Sequence, residues 1–240
     1  MSGHRTYMLC EDAFSFEKAS EEQAYWLGFL MADGYVHLPR GRHVYNVALK
    51  LAERDKNHVE RFAKFVGTDK PLYPSKAQDT QYRDKVIHGS PSWALCLNSN
   101  PIAMDVMRYG VIPHKTGREV VPTTLVKNRD FWRGMVDGDG TVCVSKGVPR
   151  LQLVGSKRII EQFIAFTEDH TPPYGAKPHA NGGQYLFMLN GKRAIQLARA
   201  LYENCSIALP RKHATALRIL KGDFTNSRSI VEESNERKRG

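Results

Sequence analysis

The sequence predicts an α+β protein built from duplicated αββαββα halves related by a pseudo-twofold axis. Three observations predict it. The stretch YWLGFLMADG, beginning at Tyr25, returns as FWRGMVDGDG, beginning at Phe131, and each copy closes on an acid and a glycine, with Asp33 and Asp139 lying 106 residues apart. The helix-like and strand-like segments after each copy come in the same order. Small residues recur at i and i+4 within both copies, which puts them on one helix face. A period this long is the size of a domain, well beyond the repeats of about 20–50 residues that build solenoids.

Each element has a local cause. Ser20 with Gln23 forms a capping box for the first motif helix, and Glu21 and Glu22 suit the positive end of its dipole. Asn128 caps the second, with Asp130 in the first turn, and Gly34 and Gly140 suit the two helix ends. After Gly34, YVHLPRGRHVYNVALKLAE alternates around a turn at 39–41; after Gly140, TVCVSKGVPRLQLVGS alternates around a turn at 146–149. Helix-period segments come next, DKNHVERFAKFVG and SKRIIEQFIAFTE. A second strand pair succeeds them: PLYPSKA with SWALCLNSN, and YGAKPHA with QYLFMLNG. The helices PIAMDVMRYG and GKRAIQLARALYE close the halves. The chain therefore divides into an N-terminal extension (1–19), a first half (20–116), a linker (117–127), a second half (128–222) and a basic polar tail (223–240).

Composition narrows the function classes. A hydrophobic fraction of 41% is enough for a folded core. The 35 Lys and Arg against 25 Asp and Glu leave a net charge of +10, which favours a polyanionic partner. The four cysteines are scattered, with no C-x-x-C pair, and no H-x-x-x-H pair occurs, so neither pattern of zinc site is present. The longest apolar run, AYWLGFLMA, is too short to span a bilayer, and the N-terminus lacks a signal-peptide core. The expectation is an intracellular, soluble protein with no membrane partner.

Gly28 with Ala32, and Gly134 with Gly138, form small-residue faces on which two helix backbones can approach closely. The acid comes immediately after in both copies. Packed about a twofold axis, the helices bring Asp33 and Asp139 together at their negative ends, an arrangement that calls for a cation. Hard carboxylate oxygens suit Mg²⁺. A calcium loop starting at Asp137 is excluded, because its twelfth position is Val148.

These residues resemble the LAGLIDADG homing endonucleases in their single-chain, two-motif form. WLGFLMADG (26–34) and WRGMVDGDG (132–140) match the nine-letter motif, and the likeness runs over residues 20–222. The resemblance implies an antiparallel β-saddle on double-stranded DNA, with the motif helices at the interface. It also implies that Asp33 and Asp139 hold Mg²⁺ for site-specific hydrolysis of one phosphodiester per strand, leaving short 3′ overhangs. Mn²⁺ would substitute, Ca²⁺ would support binding without cleavage, and a monomer could read a long asymmetric target. Met31 replaces the motif's earlier acid, which Asp137 keeps in the second copy, and Arg133 is expected to point away from the helix pair.

Lys115 and Lys212 resemble the family's central lysines. Lys50 shares a strand face with Asn46, and Gln152 is taken as its counterpart, completing the expected catalytic set. His37, Asn46, Lys76, Arg150 and Lys177 are candidates for the DNA face, and Arg40, Arg42 and Lys146 sit at hairpin tips, where they would touch phosphates. The competing reading is a maturase or non-cleaving binder of intron RNA. A third, the endonuclease part of an intein, is disfavoured by the initial Met and the terminal NERKRG.

Overall fold

The computed structural model describes residues 7–15, 18–77, 79–82, 85–87, 89–115, 117–173 and 175–225. Residues 1–6 of the expected extension and 226–240 of the expected tail lie outside the described residues. The first half runs α1 (Glu21–Asp33), β1 (Gly34–His37), β2 (Asn46–Ala52), α2 (Lys56–Phe65), β3 (Tyr73–Ser75), β4 (Thr80–Tyr82), β5 (Lys85–Ile87), β6 (Ser92–Asn98) and α3 (Asn100–Arg108). The second runs α4 (Arg129–Asp139), β7 (Gly140–Ser145), β8 (Val148–Gly155), α5 (Lys157–Glu168), β9 (His179–Asn181), β10 (Gln184–Asn190), α6 (Gly191–Tyr202) and α7 (Pro210–Leu220). The sheets have matching antiparallel orders, β1-β2-β6-β3 and β7-β8-β10-β9. The duplicated αββαββα plan is therefore present, with three additions among the described residues: a one-turn 3-10 helix at Glu53–Asp55, the β4–β5 hairpin and α7.

The caps form as the sequence dictates. Ser20 and Gln23 make a reciprocal capping box on α1, and Asn128 accepts from the amides of Asp130 and Phe131 on α4. Each motif Trp anchors its half. Trp26 packs on Phe62 of α2 with ring centroids 5.0 Å apart, and Trp132 packs on Phe163 of α5 at 5.1 Å. Both tryptophans are fully buried, so truncating either to Ala costs about 3–5 kcal/mol. The helix α1 is buried all round from Ala24 to Met31 because it is packed against its own sheet on one side and α4 on the other.

Three details depart from the sequence reading. The second hairpin turns on Lys146 and Gly147 alone, both at positive φ (51° and 74°), while Val148 and Pro149 already belong to β8. Of the strand expected at 174–180, Tyr174 lies outside the described residues, 175–178 are in no strand, and β9 starts at His179, after Pro178, which has no N–H to donate. Gly34 and Gly140 end their helices in extended backbone (φ −82° and −97°), not left-handed. Glycine is required there by crowding: a Cβ would come within 2.6 Å of the Leu30 side chain and of the Val136 oxygen, respectively.

Candidate active site

The helices α1 and α4 touch through their small residues. A Cβ at Gly28 would lie 2.0 Å from the Phe131 oxygen, and one at Gly134 would lie 2.1 Å from the Tyr25 oxygen, a symmetric pair of backbone contacts. A Cβ at Gly138 would meet the Ala32 Cβ at 2.3 Å and would sit 3.3 Å from the Asp33 carboxylate. The expected interface of Gly28, Ala32, Gly134 and Gly138 is thus formed, and it delivers both motif acids to one place.

Asp33 and Asp139 are the last residues of their helices, and both remain open to solvent. The protein crowded around them pushes both pKa values up. Asp139 reaches about 6, through burial first and the neighbouring Asp33 charge second, against the opposing pull of Lys115 and Lys212. Burial also raises Asp33, opposed by Lys212, Lys115 and Arg211. Two carboxylates held together at two negative helix ends form a site that favours a cation.

Lys115 and Lys212 are brought to this centre in an identical manner. Lys115 Nζ lies within hydrogen-bonding distance of four carbonyls, those of Leu30, Met31, Ala32 and Gly34 at 2.9, 2.6, 2.8 and 2.7 Å, among which it shares its three N–H groups. Lys212 Nζ does the same with those of Val136, Asp137, Gly138 and Gly140 at 2.8, 2.6, 3.3 and 2.7 Å. Each ammonium satisfies the orphan carbonyls ending its motif helix, where positive charge is favoured. Burial lowers both lysines to about 8, against the pull of nearby carboxylates. Their routes differ: Lys115 comes from a loop, whereas Lys212 is the third residue of α7.

Lys50 is exposed on β2, one step beyond Leu49, which faces Gly34. Gln152 is not its counterpart. Gly140 faces Leu153, so the residue matching Lys50 is Val154, and Gln152 instead pairs with Thr141 and donates to its hydroxyl at 3.2 Å. The two hairpins differ in length, and that shifts the alignment by two residues.

Of the expected DNA-facing residues, His37 and Asn46 pair across β1 and β2, and Arg150 lies on β8, all on the open sheet faces. Arg40, Arg42 and Lys146 are exposed at the hairpin connections. Lys76 and Lys177 are exposed but lie in no strand, which corrects their placement.

One motif residue, Arg133, departs from expectation, and a second, Asp137, takes a buried structural place. Arg133 is fully buried, and it faces the other motif helix. It donates to Glu21 at the start of α1 (2.7 Å), to Asp130 (2.7 Å) and to the carbonyls of Ile207 and Leu201, with its guanidinium over the Tyr25 ring. Asp137 is buried away from the acid pair. It accepts from the hydroxyls of Tyr25 (2.8 Å) and Tyr202 (2.7 Å) and from the Leu209 amide (2.6 Å). Tyr25 also bonds His58, which burial holds neutral at about 3.

Sequence reasoning missed Glu119, whose charge acts on both Asp139 and Lys115 and whose Oε2 is buried with no partner among the described residues. It also missed Arg211, which bonds both oxygens of Asp55 at 3.1 Å and lowers the Asp33 pKa. Neither sits in a periodic pattern, so neither left a sequence signal.

No family model matches the sequence, and no curated protein does. Solved structures do match. The homing endonuclease I-WcaI bound to its DNA recognition sequence is 12% identical, with 85% of this chain and 91% of that chain covered and a TM-score of 0.55. The LAGLIDADG meganuclease I-CpaMI bound to uncleaved DNA is 12% identical, covers 90% and 97%, and scores 0.57. The I-LtrWI LAGLIDADG homing endonuclease bound to target DNA is 11% identical, covers 85% and 91%, and scores 0.56. The chain has the fold of the LAGLIDADG homing endonucleases, and the resemblance carried by its two motifs holds at the level of that fold. Among the described residues no helix is long and apolar enough to cross a membrane.

Proposed function

We propose that this protein is a site-specific double-strand DNA endonuclease that cuts one phosphodiester per strand of a long asymmetric target, acting as a monomer with Mg²⁺ and leaving short 3′ overhangs. The observation that carries this reading is the meeting of Asp33 and Asp139 at the ends of two helices too closely packed to separate them. The structures sharing the fold are described as homing endonucleases bound to DNA, which supports duplex DNA as the partner.

The residues fit a hard divalent cation. Both acids offer carboxylate oxygens, both are open to solvent, and each carries a pKa raised by crowding that a cation would reverse. Asp33 and Asp139 would hold Mg²⁺, which when bound activates water and offsets charge on the phosphate. Lys115 and Lys212 fix positive charge beside the acid pair, where negative charge builds on the phosphate in the transition state. Lys50 adds a cation on the Asp33 side only, since Val154 occupies the matching place. The open sheet faces supply base contacts, and the exposed Arg40, Arg42 and Lys146 supply phosphate contacts.

The test is to incubate the protein with fragmented genomic DNA pools in Mg²⁺, and separately in Ca²⁺, and to sequence fresh ends. Recurrent paired ends with 3′ overhangs, in Mg²⁺ only, are expected. Absence of cuts together with specific retention of an intron RNA would replace this reading with the maturase alternative.

A further inference from the structure

Strand register shows where the two halves present different chemistry to a bound duplex. In the first sheet His37, Asn46 and Asn98 stand in one row across β1, β2 and β6. In the second sheet the matching row is Cys143, Arg150 and Asn190 across β7, β8 and β10. His37 and Cys143 each lie three residues past the glycine that ends their motif helix, so the rows are equally far from the acid pair. Both rows sit on the open faces. The neighbouring rows, Val36, Val47 and Leu97, and Val142, Leu151 and Leu189, are buried.

The side chains differ in what they can read. Arg150 Nε donates to Asn190 Oδ1 at 3.1 Å, which orients the guanidinium and leaves its two terminal nitrogens without a partner among the described residues. Two parallel donors match the O6 and N7 acceptors of guanine. Asn46 has no side-chain bond among the described residues, and it stands directly opposite Asn98, which is exposed. A carboxamide offers one acceptor and one donor, the pattern that matches N6 and N7 of adenine. This first row opens into a cleft of about 810 Å³ lined in part by Tyr7, Arg42, Lys70 and Tyr73, with no carboxylate among its described lining residues. The cleft therefore suits the phosphates flanking a base read at Asn46.

We infer that the two halves read different bases at symmetry-related positions: Asn46 with Asn98 selects adenine in the first half-site, and Arg150 steadied by Asn190 selects guanine in the second. This rests on the endonuclease reading, and it locates one source of target asymmetry in one pair of rows.

The experiment is a binding selection in Ca²⁺ from a randomised duplex pool, with the wild type, Asn46→Arg, Arg150→Asn and Arg150→Lys. The wild type is expected to enrich adenine and guanine at two positions equally distant from the centre of the site. Arg150→Asn and Arg150→Lys should each weaken the guanine preference by roughly 10-fold or more at that position alone, since Lys keeps the charge but loses the paired donors. Asn46→Arg should acquire guanine at the first position. Wild-type base preferences retained at these positions by all three variants would overturn the inference while leaving DNA recognition standing. A pool from which the wild type enriches nothing would overturn the endonuclease reading and this inference with it.

Discussion

Lys212 holds against α4 the place that Lys115 holds against α1: each ammonium meets four carbonyls, and every carbonyl in one set is 106 residues from its partner in the other. The duplication thus extends beyond the motifs to the group that neutralises the end of each motif helix. Replacing either lysine with Met leaves those carbonyls without a charged donor. The loss of stability should be about 1–3 kcal/mol. It should be larger for Lys212, which is buried, than for Lys115, where water can reach the vacated carbonyls. Urea denaturation of both variants checks the order.

The closeness of the motif helices predicts a steep penalty for a single methyl group. Gly28→Ala and Gly134→Ala each place a Cβ about 2 Å from a backbone oxygen, where no side chain can rotate away. Each should lose at least about 3 kcal/mol, the upper end for overpacking. Thermal unfolding of either variant at the wild-type midpoint would contradict this contact.

Asp137 should matter for stability and not for the metal. Asp137→Asn leaves three converging donors, from Tyr25, Tyr202 and Leu209, facing a group that is itself partly a donor. A loss of about 2–5 kcal/mol is expected. The Mg²⁺ concentration for half-maximal cleavage should stay at the wild-type value; a raised requirement would make Asp137 part of the metal site.

The acid pair gives a pH signature. Asp139 titrates at about 6 in the folded chain, raised by burial and Asp33 and also by Glu119, with Lys115 and Lys212 opposing. Its unfolded value is near 3.9. The folded state therefore binds more protons than the unfolded state between about pH 4 and pH 6, so metal-free stability falls as pH rises through that window. Mg²⁺ competes with those protons, and its stabilising effect should be greater at pH 7.5 than at pH 5. Melting curves across pH with and without Mg²⁺ measure this, and Asp139→Asn should flatten the difference.

Much of this was legible in the sequence, for identifiable reasons. Motif helices, caps and first hairpins are set by local chemistry: small residues at i and i+4, Ser20 with Gln23, and strict alternation after Gly34 and Gly140. The helix α7 is hard to see in the sequence because a charged residue, Lys212, takes a buried place on its inner face and breaks the apolar period. Its remaining signals are Pro210 at the first helical position and the helical spacing of Ala216 and Ile219 from Lys212. The Lys50 match failed because an eight-residue connection in one hairpin and a two-residue turn in the other move the register, which only the ladder shows. The partners of Arg133 and Asp137 were out of reach for a related reason. Glu21 and Tyr25 lie 112 residues away from them in sequence and meet them only because the two halves pack.

Joint metal binding by Asp33 and Asp139 is what the proposed cleavage of both strands depends on. It is tested most directly on a duplex carrying the selected target, with each strand end-labelled, comparing the wild type with Asp33→Asn and Asp139→Asn in Mg²⁺ and in Ca²⁺. Double-strand cutting by the wild type in Mg²⁺ alone, none by either variant, and near-wild-type binding by all three in Ca²⁺ are expected. Full double-strand cleavage retained by both variants would contradict it.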